Sequence, residues 1–149
     1  MLVHFPIAFW STAAVCDVAT LFYPDFRLVE AAYACVAVGV LGGIAAITAG
    51  FVEYAAVSRS HPAQGTLSAH MLTMISAWLI FVSSLVLRGV PSARATVSPL
   101  ALGLDLCGFA ALIAGAFLGG KLVYGFGVGA VSGGVSSEGV NSSRRERQR

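Results

Sequence analysis

The chain has 149 residues, of which 57% are hydrophobic and 11% are charged, and its formal net charge is +2. Soluble domains carry about 25% charged residues, so this composition excludes an ordinary soluble globular protein. The small net charge provides no basic field for nucleic acid, which is excluded as a partner. The sequence is therefore that of a protein whose main partner is the lipid bilayer.

Four apolar stretches follow one another along the chain, at residues 2–23, 31–54, 67–87 and 98–124. Each is long enough to cross the membrane, since a helix needs about 20 apolar residues to span the hydrocarbon core. Turn-forming residues separate them, at 23–25 (YPD), 58–62 (SRSHP) and 88–92 (RGVPS). Lipid offers no partners to backbone polar groups, so the stretches must be helical, and short loops make neighbours antiparallel. The sequence predicts an all-α polytopic membrane protein, with a four-transmembrane-helix up-down-up-down bundle over residues 1–130.

Both ends of the predicted bundle's chain lie on one membrane face, which we name side A; the opposite face is side B. Residues 131–149 are rich in Gly, Ser and Arg and are predicted to be a disordered tail. Arg27, Arg88 and Arg94 lie near the membrane on side B, and Arg59 and Lys121 on side A. These counts leave the orientation open by the positive-inside rule, and we expect cytoplasmic termini.

Small residues recur at helical spacing on two of the stretches. Gly39, Gly43, Ala46 and Gly50 form one face of the second stretch, and the fourth repeats the pattern with Gly108, Ala111, Gly115 and Gly119. Backbones approach closely along such seams in membranes. We expect the seams to pack within the bundle or between the protomers of a homo-oligomer.

Polar residues at membrane depth are the candidates for function, because an ionisable group inside the membrane is costly. On side A these are His4, Glu53, His70, Lys121 and Tyr124. The alternative reading of the histidines is that they satisfy helix ends at the interface. Glu53 and Lys121 are also explained by an ordinary ion pair at the membrane edge, and His61 lies in the loop between the second and third stretches.

Toward side B, Asp17 and Asp105 lie at one depth, roughly 10 Å below the interface at 1.5 Å per residue. Two carboxyl groups at one depth on the first and fourth helices are placed to share a proton or a cation. A proton or cation relay through this pair is one hypothesis. The alternative is a pair of protonated carboxyl groups that hydrogen-bond to neighbouring helices and only join them.

Several of these residues stand in motifs. The first stretch opens with LVHFPIA at residues 2–8 and carries Asp17, and the second has Gly50 before the pair Glu53-Tyr54. His70 opens the third stretch, and the fourth closes with GGKLVY at 119–124 before GVG at 127–129. Together they resemble the DUF2231 family of small bacterial membrane proteins over residues 1–130. Glu53 stands where the family usually has Asp.

The resemblance implies a bacterial inner-membrane protein similar in architecture to the four-helix b-type cytochromes. It also implies partners among other membrane proteins or redox proteins. A b-type haem takes two axial ligands at one height, and His4 and His70 meet that requirement. We therefore expect haem b to be bound by His4 and His70, or a divalent metal ion by His4, Glu53 and His70, with His61 as a further ligand. Either site would serve electron transfer.

Catalysis has no support in the sequence. It contains no pattern typical of a hydrolase, a phosphate-binding loop or a zinc protease, so we expect no enzyme and no catalytic residue. The competing hypothesis from another class is a structural or assembly subunit of a membrane complex, held to its partners by the glycine seams.

Overall fold

A computed structural model describes residues 4–89 and 95–128, and these residues form an all-helical structure. Four α-helices follow in order: α1 (His4–Thr20), α2 (Phe26–Ala56), α3 (Gln64–Arg88) and α4 (Pro99–Gly120). A π-helical turn, Lys121–Gly125, continues α4. The prediction of an all-helical protein with four helices is confirmed. The predicted tail at 131–149 lies outside the described residues.

Three of the helices are long and apolar enough to cross a membrane: α2, α3, and α4 together with its π-helical turn. The first helix is shorter, with 17 described residues. At 1.5 Å per residue, α1 measures about 26 Å, against a hydrocarbon core of about 30 Å. Three membrane spans therefore follow from length and composition, and the fourth span and the up-down-up-down order stay predictions.

The helix ends differ from the predicted stretches by up to five residues, and two of the differences are informative. The second helix begins five residues early, at Phe26, because the side chain of Asp25 accepts a hydrogen bond from the backbone N–H of Arg27 and caps it. Hydropathy alone missed this turn, since Arg27 and Glu30 are polar. The π-helical turn after Gly120 was also not predicted, because a single wider turn leaves no mark on hydropathy.

A pair of aromatic rings fills the centre of the bundle. Trp10 of α1 and Phe81 of α3 are stacked with their ring centroids 4.5 Å apart and their planes nearly parallel. Small and branched side chains surround the pair: Ala13, Ala32, Val36, Ala77 and Leu112. In lipid the helices gain no hydrophobic driving force from meeting one another, so close packing of this kind holds them together.

Large side chains from other helices of the same protein pack against the glycine seams. Gly39 lies against the indole of Trp10, and Gly43 lies against both Trp78 and Trp10. On α4, Gly108 lies against the ring of Phe81, and Gly115 against Met74. The closest approach at these four glycines is therefore of side chain to backbone within one chain, which leaves their faces unavailable to a second protomer.

A methyl group at Gly43 is expected to lower stability. It would stand 2.5 Å from Cδ1 of Trp78, whose indole N–H donates to the carbonyl of Val40 at 3.0 Å and cannot easily move. We expect Gly43→Ala to cost about 1–3 kcal/mol, the usual range for overpacking, measured as a lower unfolding midpoint in detergent.

Gly103→Ala is the matched control, since a methyl group there would have nothing within 4 Å. Alanine favours the helix over glycine by up to about 1 kcal/mol, so this variant should be as stable as the wild type or slightly more so. Equal midpoints for the two variants would contradict the seam packing.

Candidate functional site

A cavity of about 370 Å³ opens at the side A end of the bundle, where α2 ends and α3 begins. All four helices line it. Its walls are mostly apolar, with a few polar groups among them, as is typical of small-molecule sites. Its lining includes Trp10, Glu53, His70, Met71, Met74 and Trp78.

His70 is the polar anchor of this cavity. It is half-buried in the second turn of α3, and its Nδ1 lies 2.9 Å from the backbone carbonyl oxygen of Gly115 on α4. A carbonyl oxygen can only accept, so Nδ1 carries the hydrogen and donates it. Nε2 of the neutral ring is then left with a lone pair. A histidine held in this way by a backbone carbonyl is oriented as metal-ligating histidines are.

Space for the imidazole comes from the facing helix. A methyl group at Gly119 would stand 3.3 Å from Cε1 of His70, so glycine at this position leaves the ring its place. Gly115 supplies the carbonyl, one turn earlier. Gly119 thus leaves room for the imidazole ring of His70, and the carbonyl of Gly115 fixes the tautomer of that ring.

The remaining polar lining is sparse. Glu53, an exposed residue near the end of α2, contributes carboxylate oxygens, and the thioethers of Met71 and Met74 contribute weak acceptors. Both tryptophans of the chain, Trp10 and Trp78, also line the cavity. The cavity lining is therefore largely apolar and aromatic, with His70 and Glu53 as its two ionisable residues.

The structure assembles the predicted side A residues only in part. Glu53 and His70 line the cavity, whereas His4 is exposed and is not among its lining residues. Within residues 4–89 and 95–128, no three His, Cys, Asp or Glu side chains are placed to hold a metal ion. The geometry thus does not form the expected metal set of His4, Glu53 and His70.

The other side A candidates lie apart from the cavity. Lys121 and Tyr124 are exposed, and the structure shows no ion pair between Glu53 and Lys121. His61 is held in its own loop, where its Nδ1 accepts a hydrogen bond from the backbone N–H of Ala63 at 3.1 Å. His61 therefore shapes the loop before α3.

At the side B end, the structure brings Asp17 and Asp105 together through a third residue, Arg88. The guanidinium of Arg88 contacts both carboxylates and donates to Oδ1 of Asp17 through Nη1 at 2.9 Å. Asp17 and Asp105 are 0% exposed, and the side chain of Arg88 is 5% exposed. We name these three residues the charged cluster; it joins α1, α3 and α4.

Hydroxyl groups surround the charged cluster. Ser84, one turn before Arg88 on α3, accepts a hydrogen bond from Nε of Arg88 at 3.4 Å and donates to the carbonyl of Ala101. Thr20 donates to the carbonyl of Asp17 at 2.7 Å and accepts from the backbone N–H of Val97 at 3.4 Å. Ser84 thus supports the side chain of Arg88, and Thr20 joins the end of α1 to the backbone just before α4.

Sequence reasoning missed Arg88, which it placed in the loop after the third stretch. Arg88 is the last residue of α3, and its side chain turns back into the bundle because two buried carboxylates attract it. The position of Arg88 could have indicated this contact. Arg88 directly follows the third stretch on side B, and a long side chain there can reach the depth of Asp17 and Asp105.

The cavity and the charged cluster are separate sites. Asp17 lies seven residues beyond Trp10 on α1, about 10 Å along the helix. Between the two levels lie buried apolar residues, among them Ala13, Ala14 and Phe81. The described residues thus place an apolar layer between the two ends of the bundle.

Comparison with known proteins identifies the family. No curated protein and no solved structure matches the chain. A family model, described as a predicted membrane protein (DUF2231), matches residues 1–132, which agrees with the motifs at both ends of the bundle. The chain therefore belongs to the DUF2231 family of membrane proteins.

Proposed function

We propose that this protein is a four-span bundle of the bacterial inner membrane that binds haem b in the side A cavity and serves electron transfer. His70 would hold the haem iron, and the haem would supply the electron-transfer chemistry. The observation that carries the proposal is the hydrogen bond from Nδ1 of His70 to the carbonyl of Gly115, which leaves Nε2 as the ligating nitrogen in a cavity between helices. Redox proteins of the same membrane are the proposed partners.

The proposed second ligand is His4 of α1, although it does not line the cavity. Met71 and Met74 line the cavity with His70, but both stand on α3, the helix of His70 itself. The two ligands of one haem approach its iron from opposite sides, which residues one and four positions from His70 on one helix do not allow. We therefore keep His4 as the partner of His70, with ligation by His70 alone as the alternative to be tested.

Haem binding is tested by adding haem b to the detergent-purified protein and recording absorption spectra in the oxidised and reduced states. We expect a Soret band typical of bound haem in the wild type, lost in His70→Ala and kept in His61→Ala. The variant His4→Ala then tests the second ligand, since its spectrum changes if His4 binds the iron and stays unchanged if His70 binds alone. A wild type without bound haem, or a His70→Ala variant with an unchanged spectrum, contradicts the proposal.

A second candidate ligand is a quinol, and the acceptors of the cavity favour it. His70 Nε2 and the Glu53 carboxylate both accept hydrogen bonds, so a ligand with two hydroxyl donors complements them. Both tryptophans line the cavity, and the half-buried indole of Trp78 is the one with surface left for contact with an aromatic ring. A volume of about 370 Å³ lies at the lower end of the range for ligand sites, which suits a ring whose tail extends into lipid.

Quinol binding is expected to quench tryptophan fluorescence, because both tryptophans of the chain line the cavity. With a short-tailed ubiquinol as the probe, His70→Ala should weaken binding about fivefold, the equivalent of one hydrogen bond of ~1 kcal/mol. His61→Ala, which alters a histidine outside the cavity, should leave the affinity unchanged. Equal affinities of the wild type and His70→Ala would rule out this candidate.

A further inference from the structure

Among the residues that the structure describes, the charged cluster at the side B end has more acidic than basic side chains. Two carboxylates, Asp17 and Asp105, face one guanidinium, Arg88. With all three ionised, the cluster has a net charge of −1 in a place where both aspartates are fully buried. An uncompensated buried charge is far more costly than a neutral, hydrogen-bonded group.

One oxygen atom of the charged cluster also lacks a hydrogen-bond partner among the described residues. Both carboxylate oxygens of Asp17 accept from Arg88, and Oδ2 of Asp105 does so as well. Oδ1 of Asp105 is buried and has no hydrogen-bond partner among the described residues. Arg88 thus pairs with both oxygens of Asp17 and with only one oxygen of Asp105.

We propose that the charged cluster is a proton-binding site, in which Oδ1 of Asp105 carries one exchangeable proton. That proton makes the cluster neutral, with Asp17 and Arg88 as the ion pair and Asp105 as a carboxylic acid. The cation that the two aspartates share is therefore Arg88 of the chain itself, and the ligand of the site is a proton.

The groups that face Asp105 limit what else can titrate with it. Within residues 4–89 and 95–128 they are Asp17 from α1 and Arg88, supported by the hydroxyl of Ser84, from α3. On α2, the charged residues at this end, Arg27 and Glu30, are exposed. The apolar layer of Ala13, Ala14 and Phe81 lies on the cavity side. The site is therefore distinct from the ligand cavity, and side B is the proposed side of proton exchange.

Infrared spectroscopy of the full-length protein in detergent at neutral pH tests this proposal. We expect the C=O stretching band of a protonated carboxylic acid, shifted in D₂O and shifted again by ¹³C-aspartate labelling. Asp105→Asn, which keeps the shape and the acceptor for Arg88, should lose the band. Glu30→Gln, which removes an exposed carboxylate, should keep it.

The variant Asp17→Asn tests whether Asp105 is protonated because of the charge balance of the cluster or because of its burial alone. This variant leaves one carboxylate for Arg88, so Asp105 should give up its proton and the band should disappear although Asp105 is still present. A wild type without the aspartic acid band overturns the proposal. Retention of the band in Asp105→Asn also overturns it. The wild-type measurement with ¹³C-aspartate decides whether a buried aspartic acid is present even if a variant does not fold.

Discussion

Arg88→Met is expected to destabilise the folded bundle by about 3–5 kcal/mol, the cost of removing one partner from a buried ion pair. The variant leaves the carboxylate of Asp17 buried beside Asp105 without its cation. Methionine has a similar length and is apolar, so the loss reports the charge more than the volume. The measurement is the midpoint of thermal or denaturant unfolding in one detergent.

Two comparisons make this prediction specific. Arg27→Met removes an exposed arginine near the start of α2 and should be close to neutral, because the Asp25 cap uses the backbone N–H of Arg27. The triple variant Arg88→Met, Asp17→Asn, Asp105→Asn removes all three ionisable side chains and should recover much of the loss, since neutral replacements of a buried ion pair are often tolerated. An Arg88→Met protein as stable as the wild type would show that the cluster carries no buried charge.

The single variant Phe81→Ala is expected to lower the free energy of unfolding by ~3–5 kcal/mol, because it removes the central aromatic stack and leaves a void. Phe81 is fully buried, stacked on Trp10 and packed against the backbone of Gly108. Truncation therefore removes contacts to α1 and α4 at once. The unfolding midpoint should fall well below that of the wild type.

Phe117→Ala provides the control of the same residue type, because Phe117 on α4 is 75% exposed on the outside of the bundle. Its loss leaves no internal void, and we expect a change of less than ~1 kcal/mol. If the two phenylalanine variants lose the same stability, the stack does not organise the core.

The number and type of helices could be predicted because hydropathy is high both at positions that face lipid and at positions buried in the protein. The same property hides which face of each helix points inward, since the inner and outer faces are both apolar. Phe81 and Phe117 illustrate this: the sequence treats them alike, and the structure buries one and exposes the other. Only small and polar residues mark the interior, and the glycine positions on α2 and α4 did so.

The candidate sites were predictable to different degrees. Asp17 and Asp105 were found because charge at membrane depth is conspicuous, whereas Arg88 was assigned to a loop because it lies at a helix end. The cavity could not be foreseen, since its walls come from all four helices and depend on side-chain directions. The pairing of His70 with Gly115 also needed the register of α3 against α4.

The distance along the chain between the members of the ion pair has a consequence for synthesis. Asp17 and Arg88 are 71 residues apart. At roughly 5–20 residues per second, the ribosome completes Arg88 about 4 to 14 seconds after Asp17. The hairpin of α1 and α2 therefore exists for seconds with a carboxyl group that lacks its cation. Biogenesis thus passes through an incomplete two-helix stage, which ends when the second hairpin brings the arginine.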